Sequence, residues 1–135
     1  MTRSSRTALI TGASSGIGLS SAHRLIDRGW RVIAAARRLE RMESLRQRGA
    51  EVLPLDIASE ASRRQLADAI ESRVGGLDAL VNNAGFGDVG PVETMPLDQV
   101  REMFEVNLFG LMGLTQLLLP PMREKRCGRI INVSS

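Results

Sequence analysis

The chain has 135 residues, 43% of them apolar and 24% charged, which suits one domain with a single core and excludes a disordered tail. Its net charge of +3 rests on seventeen arginines and one lysine, Lys125, interleaved with acids such as Glu40, Glu43, Glu51 and Asp56, and aromatics make up only 3%. That scatter argues against a nucleic-acid-binding face, the absence of tyrosine excludes tyrosine chemistry by this chain acting alone, and the single Cys127 excludes an internal disulfide and offers no metal-ligand spacing.

Strand-like apolar runs alternate with helical periodicities, the pattern of a parallel sheet with crossover helices. Residues 7–11 read as a first strand, followed by a glycine-rich turn and a helix from about Ile17 to Arg28 that stops at Gly29. Residues 31–36 form a second strand, and Leu39, Met42 and Leu45 mark a short helix ending near Gly49. A third strand spans 51–55, and Ser59 caps a helix carrying Leu66, Ala69, Ile70 and Val74. Residues 79–82 are a fourth strand, and a Gly- and Pro-rich loop runs from Ala84 to Pro96.

The longest helix is expected from about Leu97 or Asp98 to Arg126, with a bend near Pro120-Pro121, where proline lacks its backbone donor. Its apolar positions make more than one stripe and call for neighbours on two sides. A fifth strand covers 129–134. The fold class is therefore α/β, a doubly wound Rossmann-type parallel sheet of about five strands in one domain. The N-terminal apolar stretch is too brief for a signal-peptide core, and Leu108 to Leu119, interrupted by Thr115 and Gln116, falls short of the roughly twenty residues that span a bilayer. No membrane partner and a cytoplasmic location are expected.

The sharpest motif is Thr11-Gly12-Ala13-Ser14-Ser15-Gly16-Ile17-Gly18, which closes the first strand and opens the first helix. Gly12 allows the tight turn, Gly16 lets a diphosphate approach the backbone, and Gly18 lets the helix pack close to the sheet. Unpaired N–H groups of the helix N-terminus favour an anion there. Where an unmodified ribose is bound, the second strand usually ends in an acid; here Ala36 is followed by Arg37 and Arg38. A guanidinium grips a 2′-phosphate that a carboxylate would repel, so the cofactor is read as NADP(H), with Arg37 as clamp, Arg38 as helper and Ser14 as an extra donor.

With these motifs in place, the chain resembles the classical short-chain dehydrogenase/reductase family along essentially its whole length. Leu55-Asp56-Ile57 matches the family's adenine-contacting segment, which puts Asp56 near the exocyclic amine. Asn82-Asn83-Ala84-Gly85 matches the segment that steadies the central sheet beside the cofactor ribose. The resemblance implies that Asn107, in Val106-Asn107-Leu108-Phe109-Gly110, is the catalytic asparagine that helps hold a relay water, and that Ser135 is the catalytic serine. It also implies hydride transfer between a nicotinamide and a small carbonyl or alcohol substrate, and a homo-oligomeric assembly.

The family's acid–base pair, Tyr-x-x-x-Lys, lies about a dozen residues beyond the serine, and these residues contain no such pair. Lys125 precedes the fifth strand and is expected on the wrong side of the sheet to replace it. The isolated chain is expected not to turn over substrate and to expose the Leu111, Leu114, Leu117 and Leu118 side of its long helix. Two other readings remain open: a non-catalytic NADP(H)-binding or assembly module, and a split enzyme completed by another chain.

Overall fold

The computed structural model describes residues 5–134. Its strands are β1 (Thr7–Thr11), β2 (Arg31–Ala36), β3 (Glu51–Pro54), β4 (Ala79–Asn82) and β5 (Arg129–Asn132). Its helices are α1 (Gly16–Asp27), α2 (Glu43–Gln47, entered through a 3-10 turn at Leu39–Met42), α3 (Glu60–Val74), α4 (Leu97–Phe104) and α5 (Leu111–Glu124). All strand pairs are parallel, in the order β3-β2-β1-β4-β5. The order reverses direction between β1 and β4, and such a switch point opens a crevice at the carboxyl ends of the strands.

Alternation along each strand sends side chains to two cores. Ile10, Val32, Ala34 and Val81 pack with Ala22 of α1 and with Met42 and Leu45. Leu9, Ile33, Ala35 and Leu80 pack on the other face with Leu66 and Ile70 of α3 and with Leu114, Leu118 and Met122 of α5. Burial on both faces explains why β1, β2 and β4 read as almost unbroken apolar runs. The expected cap is present, with the Ser59 hydroxyl accepting from the Ser62 N–H at 3.2 Å, and α3 stops at Gly75 with φ of 71°.

Several boundaries differ from expectation. β3 ends at Pro54, β5 at Asn132 and the long helix at Glu124. The helix runs through Pro120 and Pro121. The carbonyls they leave without an N–H partner belong to Gln116, which is exposed, and Leu117, which is half-buried. The departure from α geometry lies earlier, in a π-helical turn at Glu105–Gly110 joining α4 to α5. The rod Leu97–Glu124 has 28 residues and is long and apolar enough to cross a membrane by length and composition. Leu114 and Leu118, expected on an exposed side, are instead buried with Met122 against the sheet and α3, so the exposed side is a different one. The second stripe expected to find neighbours, including Phe104, Leu108, Phe109 and Met112, is exposed.

The amino ends of the strands are tied by Asp78. Its carboxylate accepts from the Thr7 N–H at 2.7 Å and from Lys125 Nζ at 2.8 Å, while its backbone bonds Thr7 O and the Arg129 N–H at 2.9 Å each. Burial pushes the carboxyl up, but the Lys125 ammonium and the Thr7 N–H more than reverse it and hold it below its ordinary 3.8. Lys125 thus sits at the opposite end of the strands from the glycine turn, as expected.

Candidate active site

A cleft of about 420 Å³ opens at the carboxyl ends of β1, β2, β3 and β4, over the switch point. Its lining includes Gly12, Ser14, Ser15, Gly16 and Ile17 from the turn, Arg37 and Arg38 after β2, Ile57 after β3, and Asn83, Ala84 and Gly85 after β4. Gly18 supports the turn from beneath, and Asp56 is exposed next to the lining residues Leu55 and Ile57. Asp56 Oδ1 accepts from the Ala58 N–H at 3.2 Å. Ser135 lies outside the described residues.

The glycines of the turn do different work. Gly12 has φ of 63°, and a methyl there would lie 2.8 Å from Ala84 Cα. A methyl on Gly18 would overlap Gly12 O and come within 2.5 Å of Asn83 Nδ2, so this residue sets how closely α1 approaches the loop. Gly16 has φ of 53° and nothing within 4 Å of the missing Cβ. It leaves open exactly the kind of backbone cradle that a diphosphate needs at a helix N-terminus. The first turn of α1 carries no acid to compete with an anion.

Thr11 is the hub that sequence reasoning passed over. Its buried hydroxyl accepts from the N–H groups of Asn83 at 3.1 Å and Ala84 at 3.0 Å and donates to Val81 O at 3.4 Å. Asn83 Nδ2 returns across the gap to Thr11 O and Gly12 O at 3.2 and 3.1 Å. The β1 and β4 loops are thereby one unit. The only sequence signal was a threonine, a β-branched residue with a hydroxyl, placed last in a buried strand.

Asn82, only 2% exposed, donates from Nδ2 to Thr115 Oγ1 at 3.2 Å and to Asn132 Oδ1 at 3.0 Å. It links β4, β5 and α5 one residue before the Val133 N–H bonds its carbonyl. Asn82 Oδ1 has no partner among the described residues.

Asn107 stands in the π-helical turn. Its Oδ1 accepts from the Phe86 N–H at 3.0 Å and its Nδ2 donates to Phe86 O at 2.7 Å, so the amide clamps the loop after β4 against the helix. Although it stands among Val106, Leu108 and Phe109, the residue is exposed and its partners are backbone groups. Gly85 must be small because a methyl there would lie 2.9 Å from Asn107 Oδ1. Phe86 and Val106 line the cleft as well and complete the wall next to Asn107. Arg37 and Arg38 are exposed, and neither guanidinium pairs with a carboxylate among the described residues.

His23 on α1 is half-buried and meets Ser44 Oγ at 3.3 Å and an Arg48 guanidinium nitrogen at 2.9 Å. No cluster of three or more metal-ligating side chains occurs among the described residues.

A parallel sheet that opens at its switch point onto a glycine turn and helix N-terminus defines a doubly wound, Rossmann-type domain. The short chain dehydrogenase family model matches residues 6–135, and the chain belongs to that family, whose members are oxidoreductases that bind a nicotinamide cofactor. An uncharacterized oxidoreductase of Myxococcus xanthus is 37% identical over 136 residues, covering 96% of this chain and 54% of that protein. A short-chain dehydrogenase from Streptomyces avermitilis has a crystal structure matching with a TM-score of 0.96 at 38% identity, over 99% of this chain and 50% of that one. The F189W actinorhodin polyketide ketoreductase with NADPH matches with a TM-score of 0.90 at 37% identity, over 97% and 53%. The chain spans about half the length of the curated relatives it matches.

Proposed function

We propose that this chain is the cofactor-binding part of an NADP(H)-dependent short-chain dehydrogenase/reductase acting on a small carbonyl or alcohol substrate. The observation that carries the cofactor choice is the end of β2, where Arg37 and Arg38 line the cleft and no acid follows Ala36. A guanidinium there makes paired, charge-assisted bonds to a 2′-phosphate. The ketoreductase solved with NADPH supports the same choice by likeness.

When bound, the cofactor supplies or accepts the hydride; the residues here bind and orient it. The N–H groups at Ser15–Gly18 take the diphosphate, Arg37 takes the 2′-phosphate with Arg38 and Ser14 assisting, and Asp56 with Ile57 receives the adenine. Asn83, Ala84 and Gly85 lie by the ribose, with Asn107 holding the Phe86 loop across the far end. Ser135 is proposed to hydrogen-bond the substrate oxygen. No tyrosine is present to serve as acid or base, so the 135 residues alone are proposed to bind dinucleotide without turnover.

Titration of the 135-residue chain with NADPH and NADH, followed by nicotinamide fluorescence, is expected to favour NADPH by about tenfold or more, as hydrogen bonds to charged groups allow. Arg37→Ala is expected to erase most of that preference, and Arg38→Ala less of it. Equal affinities for the two dinucleotides would overturn the NADP(H) reading. Ketone reduction by a sample whose mass matches the 135 residues would overturn binding without turnover.

A further inference from the structure

We infer that Arg63 of α3 is a positioning residue for the nucleotide cleft, acting through the Ile57 carbonyl; the inference rests on the proposal that the cleft receives a dinucleotide. Arg63 does not line that cleft. Its Nη1 donates to Ile57 O at 2.7 Å, and Ile57 is a buried wall residue of the cleft that also packs in the core beneath it. The same carbonyl faces the end of the π-helical turn: a methyl on Gly110 would lie 2.5 Å from Ile57 O and 3.0 Å from Ile57 Cγ1. The guanidinium itself lies against α5, where a methyl on Gly113 would come 2.8 Å from its Nε and 3.2 Å from its Cζ.

Two glycines spaced along one helix therefore make room for the Ile57 carbonyl and for the cation that holds it. Without that cation the carbonyl would face the helix with no donor, in a place too narrow for the loop to turn freely. Neighbouring bonds leave Arg63 the decisive one. Ser62 Oγ accepts from the Asp56 N–H at 2.9 Å and the Ser59 N–H bonds Asp56 O at 3.0 Å, so the loop is fixed at Asp56 and at the start of α3. Ile57 between them is held on its carbonyl side by Arg63. The guanidinium thus joins three parts of the fold: the wall after β3, the first turn of α3, and the helix that carries Asn107.

The test separates this role from general stability and from the cofactor reading. Arg63→Ala is expected to weaken NADPH and NADH by the same factor, about tenfold, leaving their ratio unchanged. Arg37→Ala, by contrast, alters the ratio. Gly113→Ala keeps Arg63 but displaces the flexible guanidinium; it is expected to reproduce the loss, and the double variant to be no worse than either single one. Amide hydrogen exchange is expected to quicken at residues 56–59 in both variants while the amides of β1 and β4 keep their protection.

Folded Arg63→Ala protein that binds both dinucleotides within about twofold of the parent would overturn the inference, since that is the range of a neutral surface change. Unchanged exchange at 56–59 would overturn it too. A parent chain that binds neither dinucleotide, with exchange at 56–59 still quickened by Arg63→Ala, would defeat the cofactor reading and support the positioning role.

Discussion

The two edges of the sheet carry similar side chains in opposite settings. At the β3 edge, Val52 and Leu53 are half-buried beneath α2 and α3, and Glu51 is bracketed by the guanidinium groups of Arg31 and Arg73. At the β5 edge, every residue from Arg129 to Asn132 is exposed, with Ile131 at 48%. Charge and helical cover are the usual means of keeping an edge strand from pairing with another chain, and the first edge uses both. The second has one arginine and a row of β-branched apolar residues. Exposed Phe104, Leu108, Phe109 and Met112 extend that apolar character along the helix beside it. The lining of the cleft comes from the ends of β1 to β4 and from Val106, none of it from the β5 edge.

Substitutions on the two sides should divide accordingly. The largest effect is expected from Leu114→Ala, because Leu114 is fully buried where α5 meets the sheet. A loss of about 2–5 kcal/mol in urea unfolding would show that the inner stripe of the long helix belongs to the finished half. A loss under about 0.5 kcal/mol would place it with the open edge.

Gly12→Ala comes next, at about 1–3 kcal/mol, because backbone atoms of Ala84 leave no room for the methyl and φ is positive. Thermal melting and NADPH titration of the same sample should both register it.

Acid sensitivity should be smaller and confined to ion pairs that close strand ends. Burial raises the Glu51 carboxyl, yet its bonds to Arg73 and Arg31 outweigh that and hold it below its ordinary 4.5. Asp78 is held below 3.8 in the same sense. A carboxyl lowered in the folded state binds fewer protons than the unfolded chain does in acid. The stability it adds is therefore present above its unfolded value and lost as pH falls through the lower folded value. Urea midpoints measured from pH 6 downward should fall below about pH 4.5, and Asp78→Asn should flatten part of that decline.

The smallest effect on folding is expected at the open edge. Ile131→Glu should change unfolding free energy by no more than about 0.5 kcal/mol. It should nonetheless reduce light scattering at high protein concentration, because it puts charge on an unpaired strand. Scattering that stays the same would show that the β5 edge does not drive association.

Much of the fold was legible because its signals are local. The strand positions follow from apolar runs, the turn from the spacing of Gly12, Gly16 and Gly18, and the α3 cap from Ser59. Two things were not local. The π-helical turn escaped because one extra residue per turn over a six-residue stretch barely disturbs an apolar periodicity. The extra apolar stripe on the long helix was read as a demand for a second neighbour. The contacts of Thr11, Asn107 and Arg63 escaped because each side chain bonds backbone that chain topology, not sequence spacing, brings near. Asn107 was singled out by its motif, but its grip on Phe86 was not legible there. Asp56 was likewise singled out by its motif, and its carboxylate turns out to cap the neighbouring Ala58 N–H at the rim of the cleft.

The π-helical turn also limits how this protein can change by insertion or deletion. Removing one residue within Glu105–Gly110 would let an ordinary α-helix form, a locally favourable repair. Because a π-helical turn holds one residue more than the α-helical turn it would become, that repair leaves the helix beyond nearly in phase and keeps Leu114, Leu118 and Met122 on the sheet. Adding one residue would instead rotate everything beyond by about 100° and swing that stripe off the sheet. Single-residue insertions should therefore be far rarer at this point than single-residue deletions, and the irregular turn sets the phase of the helix that follows it.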